Sequence, residues 1–150
     1  MTAPAMEMLA RIPFAELLGL ELLRFERDAA EIALELRDAL LNTWDVAHGG
    51  VLMTLLDIVM AHAARSPGSD GQVVETGVVT IEMKTSFMRP GVGRLVATGR
   101  RVHRTPSLAF CEASVAGADG KPVASSTGTF KYMRALAVAG RRIQRPYASD

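Results

Sequence analysis

The segment 42–57, NTWDVAHGGVLMTLLD, holds side chains whose types and spacing can act on a polarised carbonyl. His48, Gly49 and Gly50 lead into an apolar run that reads as a helix. The first N–H groups of a helix have no partner within it. They point out at the positive end of the macrodipole, and glycines there let a substrate come close. Such a turn is a candidate oxyanion hole, with the Gly49 or Gly50 N–H as donor. Asp57 follows His48 by nine positions, and its chain neighbours are Leu55, Leu56, Ile58 and Val59. A carboxylate in that company would be poorly hydrated, which suits a general base or a nucleophile. The spacing does not separate the two roles. It also allows a plainer reading, in which Asp57 lies on a wet face or pairs with a nearby base. His48 fits a hydrogen-bonded structural histidine as well as a member of the site, and Asn42 alone reads as a turn residue.

Several elements must position these groups. The apolar pattern from Gly50 to Arg65 predicts the one long helix. Residues 7–18 read as a short amphipathic helix closed by Gly19. Leu23, Phe25, Ile32, Leu34 and Leu36 alternate with charged residues around a turn at Arg27 to Ala29, which predicts a hairpin with one wet face. A helix is the rival reading there, because Glu, Leu and Ala dominate. SPGSDGQ, residues 66–72, is a loop. Four strand-type runs follow at roughly 75–88, 93–103, 107–118 and 122–133 by their alternation and β-branched content. The expected class is α+β, with a single antiparallel sheet curled around the long helix as one domain of residues 1–150. The core spans about 10–133, and 134–150 forms a tail. A sheet of this kind leaves edge strands, so at least a homodimer is expected.

Composition narrows the function classes. The 150 residues are 49% hydrophobic and 22% charged, a globular balance, and the net charge of +1 gives no support for nucleic-acid binding. Cys111 is the only cysteine, so no intrachain disulfide can form, and it reads as a small buried hydrophobe. The N-terminus lacks a basic start followed by an unbroken apolar run, and the run 46–64 is interrupted by two His and an Asp. Neither a signal peptide nor a membrane span is expected, and the chain reads as cytoplasmic. No Cys/His spacing suits a metal and no Gly-rich phosphate loop follows a strand, so no cofactor is expected. His62, well around the helix from Asp57, reads as structural or interfacial.

The run 42–57 resembles the hotdog-fold acyl-CoA thioesterases of the phenylacetate-degradation (PaaI-like) type. Asn42, the His48-Gly49-Gly50 triplet and Asp57 fit that family's pattern, and Phe87 to Pro90 match its F-x-R-P element. The resemblance covers roughly residues 10–133. It implies the hotdog fold and hydrolysis of an acyl-CoA thioester. By the same resemblance, Asp57 attacks the thioester or activates water, the Gly49 N–H polarises the carbonyl, and Gly50 adjoins the substrate. Asn42 positions the carbonyl or the water, His48 orients the loop, and Thr80 falls near the water. The site would be shared between subunits of a homodimer that can pair into a homotetramer, with Asp57 of one chain facing His48 and Asn42 of the other. Arg89, Arg101, His103 and Arg104 are the candidate CoA contacts, although Pro106 stands in a turn where relatives often carry glycine. A hotdog dehydratase or hydratase is disfavoured, since HGGVLMTLLD lacks a Pro-Gly run before the acid and an Asp-His pair. A non-catalytic acyl-CoA-binding protein is disfavoured by the retained acid and the lack of a DNA-binding segment.

Overall fold

The computed structural model describes residues 11–72 and 74–134. Helix α1 is Pro13–Leu18, with Pro13 in its first turn and Gly19 closing it at φ +77. Residues 7–10 of the expected helix lie outside the described residues, as does the tail from 135. Strands β1 (Glu21–Glu26) and β2 (Ala29–Glu35) form the expected hairpin rather than a helix. A register slip between Leu22 and Arg24 puts Leu22, rather than Leu23, in the core beside Phe25, and Ala29 and Ala33 are buried as well, so β2 lacks the expected wet face. The hairpin turn is the pair Arg27–Asp28, at φ 50 and 63, a left-handed pair whose twist matches the flanking strands. A single 3-10 turn at Asp38–Leu40, not anticipated from the sequence, precedes helix α2 (Gly49–Arg65). Strands β3 (Gly77–Phe87), β4 (Arg94–Arg104), β5 (Leu108–Ala116) and β6 (Pro122–Met133) complete the fold.

The six strands are ordered β1-β2-β4-β5-β6-β3, and each pairing is antiparallel. Strands β1 and β3 are the edges. Helix α2 lies in the concave face, where Leu55, Leu56, Val59, Met60 and Ala63 are fully buried in one cluster with Ile32, Leu34, Leu95, Val115 and Phe130. Each large apolar side chain so buried is worth roughly 1.5–3 kcal/mol, which fixes the helix on the sheet. Gly99 permits the close approach: a Cβ there would lie 2.7 Å from the Val59 carbonyl oxygen.

The helix is not apolar all round. Gly50, Met53, Thr54, Asp57 and Ala61 recur at helical spacing and are exposed or half-buried. The sheet of the same chain leaves this stripe open, along with edge strand β3.

The sheet carries several register slips, and those in β3 and β4 change which way candidate site residues point. In β3 the register slips between Thr80 and Glu82, leaving Ile81 as the extra residue. Thr80 therefore faces α2 opposite Phe130, and beyond the bulge Met83, Thr85 and Phe87 face α2 as well. In β4 the slip lies between Arg101 and His103. It puts Arg101 and Arg104 on the inner face and His103 on the outer one, stacked on Phe110.

Candidate active site

The approach to α2 is held by backbone bonds. Ala47 N–H donates to the Gly91 carbonyl at 2.8 Å, and His48 N–H to the Leu40 carbonyl at 3.0 Å. Asn42 organises the preceding turn. Its Oδ1 accepts from Trp44 N–H at 2.8 Å and from Val46 N–H at 3.4 Å. The side-chain oxygen is thus occupied, and only the amide NH2 of Asn42 is left to meet a substrate or a water.

His48 is the N-cap of α2. Its Nδ1 accepts from Gly50 N–H at 2.9 Å, so the ring proton sits on Nε2. Val51 and Leu52 N–H both donate to the His48 carbonyl. Gly49 N–H finds no acceptor among the described residues. The two donors left open by the sequence are thereby distinguished: Gly50 N–H is taken by the cap, and Gly49 N–H is the free one.

Asp57 sits on the open stripe, and Thr80 Oγ1 donates to its Oδ1 at 2.6 Å. Its carboxylate is half-buried, not enclosed as its chain neighbours implied. Leu55, Leu56, Ile58 and Val59 turn into the core while Asp57 turns away from it. Gly49 and Asp57 are eight residues apart on one helix, about 12 Å along its axis at the α-helical rise. No single carbonyl can touch both groups of one chain.

The sequence marks Phe87 as part of F-x-R-P and gives it no role of its own. Its ring edge lies against Gly49, with Cε1 and Cζ 3.5 and 3.7 Å from where a Gly49 Cβ would stand. The ring is 52% exposed.

The four basic candidates for nucleotide contact do not form one group. Arg101 is only 8% exposed, ion-paired to Asp28, and its Nη1 donates to the Ala64 and Ser66 carbonyls at 2.8 and 3.3 Å. A cation at the carbonyl end of α2 is stabilised by the macrodipole, so this guanidinium closes the end of the helix. Tyr132 O–H donates to the same Ala64 carbonyl at 2.6 Å, and burial pushes its phenol up from the ordinary range. Arg104 lies over the Tyr132 ring, 4.8 Å from its centroid. Arg101, His103 and Arg104 all line a cleft of about 510 Å³ with Asp28, Gly68 and Asp70 at the C-terminal end of α2. Arg89 lies at the opposite end, beside the turn that meets Ala47.

Other polar groups of the core have structural duties. His62 Nδ1–H donates to the Ile58 carbonyl at 2.8 Å and its ring meets the Phe25 edge. Burial lowers its pKa; the Ile58 bond opposes this and the Arg65 charge adds to it. Burial pushes the Cys111 thiol up to about 12, which leaves it unreactive near neutral pH. Among the described residues, no group of His, Cys, Asp and Glu could hold a metal ion, and no helix is long and apolar enough to cross a membrane.

A family model of the thioesterase superfamily matches residues 45–124, from the turn before His48 into β6. The chain belongs to that superfamily. It is a thioester hydrolase of hotdog fold, as the resemblance in the sequence implied. A conserved protein of Pseudomonas aeruginosa has the same fold with a TM-score of 0.74 and 31% identity, covering 83% of this chain and 97% of its own. The PaaI protein of Escherichia coli, from the phenylacetic acid degradation operon, superposes with a TM-score of 0.74 at 22% identity, over 82% of this chain and 86% of its own. The medium/long-chain acyl-CoA thioesterase YigI of Salmonella typhimurium is 27% identical over 132 residues, 79% of this chain and 84% of its own.

Proposed function

We propose that this thioesterase hydrolyses acyl-CoA to the free acid and CoA at a site built from two chains. The observation that carries this reading is the free Gly49 N–H at the head of α2, eight residues before the Thr80-bound Asp57 carboxylate on the open stripe. The Gly49 N–H of one chain receives the thioester oxygen. Asp57 of the other chain attacks the carbonyl carbon, or takes the proton of a water that does. A C–O bond forms, charge collects on the oxygen at the helix N-terminus, and the C–S bond breaks as the tetrahedral species collapses. The CoA thiolate then takes up a proton. If Asp57 is the nucleophile, water cleaves the resulting anhydride and restores the carboxylate.

The span of about 12 Å between Gly49 and Asp57 supports sharing between subunits, since both must lie within contact distance of one reacting centre. The named activity of YigI supports CoA as the carrier. Half-exposed Met53, Phe87 and Met88 supply apolar surface for the acyl group. Arg89, Arg101, His103 and Arg104 are the candidate contacts for the nucleotide, with Arg101 the most buried of them. Asn42 acts through its NH2 group, with its oxygen fixed in the turn. A homodimer, with pairing into a tetramer as a further step, would cover the stripe and the β3 edge.

A panel of straight-chain and aromatic acyl-CoAs, with release of free thiol as the readout, tests the activity. Saturable turnover with at least one member is expected. Absence of thiol release across the panel would overturn the reading.

A further inference from the structure

We propose that Phe87 is a substrate-positioning residue, a wall that keeps water off the Gly49 N–H and packs against the methylene groups beside the thioester. The proposal rests on the acyl-CoA reading above for its substrate and on separate geometry for the wall itself. Phe87 ends β3, an edge strand, and its ring is half exposed although it faces α2. The ring edge flanks Gly49, the residue that carries the free donor, with Cε1 3.5 Å from where a Cβ on that glycine would stand. An apolar ring is an odd choice for an open position unless something apolar covers its other face. The carbons flanking a thioester, in the acyl chain and in the pantetheine arm alike, are such material.

The Ile81 bulge makes this placement possible. Thr80 and Phe87 are an odd number of residues apart, so in a regular strand they would point to opposite faces of the sheet. The extra residue brings both to the helix side, Thr80 at Asp57 and Phe87 at Gly49. One irregularity in β3 thus serves the carboxylate and the donor together. A donor at an open helix start is weakened by competing water, and a dry contact beside it restores its value in the transition state. The wall also restrains the thioester from swinging off the N–H, where a misplacement near 1 Å is costly.

Two readouts on Phe87→Ala decide the matter. The first is amide hydrogen exchange of the parent and variant without ligand. Among the described residues Gly49 N–H has no acceptor, so on this proposal shielding by the ring governs its exchange. It should speed up several-fold in the variant, with Val51 and Leu52 unchanged. The second is thiol release over a ladder of straight-chain acyl-CoAs. The ratio kcat/KM should fall roughly 10–100-fold, with kcat carrying most of the loss on the shortest acyl groups. Phe87→Leu, which keeps apolar bulk, should recover most of it. Thermal melts and light scattering of all variants run beside the kinetics, so that rates are compared at equal folded and assembled fractions. If the alanine chain does not stay folded, Phe87→Gln replaces it, and the same two readouts apply. Unchanged Gly49 exchange, or parental kcat/KM in a folded variant, overturns the proposal. A parent without thioesterase activity defeats the substrate reading instead, and the exchange experiment still tests the wall.

Discussion

Thr80 Oγ1 donates to Asp57 Oδ1 at 2.6 Å, tying edge strand β3 to the middle of α2. The hydroxyl commits its single proton to one carboxylate oxygen and so fixes the rotation of the group, leaving Oδ2 for the open stripe. Thr80→Val keeps the shape and removes the donor. A positioned carboxylate set free in this way should lose roughly tenfold in kcat, in line with about 1.5 kcal/mol for a hydrogen bond to a charged group. Thr80→Ser should restore it. Steady-state kinetics beside a thermal melt checks both, and a Val variant with parental kcat would show that the bond has no part in turnover.

Gly49 offers a contrast between losing a hydrogen and gaining a methyl group. It is the first residue of α2, where proline is well tolerated, and His48 before it has ψ 137, the extended conformation that a following proline prefers. Gly49→Pro should therefore fold while lacking the N–H. Its kcat should fall ~10²–10³-fold, the usual value of one oxyanion donor. Gly49→Ala keeps the N–H, and its Cβ would meet Phe87 at 3.5 Å, an ordinary contact. It should keep far more activity than the proline variant. Equal losses in both would mean that space, and not the donor, is what Gly49 provides.

Acid should weaken the fold through His62. The ring is buried and its pKa is lowered, so the unfolded chain binds the proton more readily than the folded one. Stability from this group is complete above the unfolded value, about pH 6.5. It is lost as the pH falls from there towards the depressed folded value. Melting temperatures should drop over that window in the parent and drop less in His62→Gln, which can still donate to the Ile58 carbonyl. Parallel pH profiles for the two proteins would assign the acid sensitivity elsewhere.

Much of this arrangement was legible in the residues. The period-two runs located every strand, and His48-Gly49-Gly50 ahead of an apolar run placed the helix start to within one residue while leaving the donor open between Gly49 and Gly50. The stripe Gly50, Met53, Thr54, Asp57, Ala61 was also there to be read, since its members share one helical face. Attention to the chain neighbours of Asp57 obscured it. Arg101 continues the inward alternation of Leu95, Ala97 and Gly99, a signal of burial that its charge concealed. The bulges at Ile81 and Val102 could not be read this way, because a bulge is a relation between two strands and one strand's sequence does not state its partner's register. The position of β3 at the sheet edge was hidden for the same reason.

Mixing two inactive chains tests the shared site most directly. Asp57→Asn keeps the shape of the side chain, and its amide oxygen can still accept from Thr80. It should fold like the parent, with kcat reduced ~10²–10⁴-fold as for a lost base. Gly49→Pro is defective at the other half of the chemistry. If one site takes Gly49 from one subunit and Asp57 from its partner, a heterodimer of the two variants contains one site with both groups intact and one with neither. Random reassociation of equal amounts makes half the dimers mixed, each with half its sites restored, so activity should return to about a quarter of the parent's. Light scattering should show at least twice the 16.1 kDa chain mass in every sample. A site within one chain predicts a different result: every chain then carries a defect, and the mixture stays at the mean of the two variants. A mixture that remains there after verified subunit exchange, or a monomer with full activity, would rule out the two-chain site.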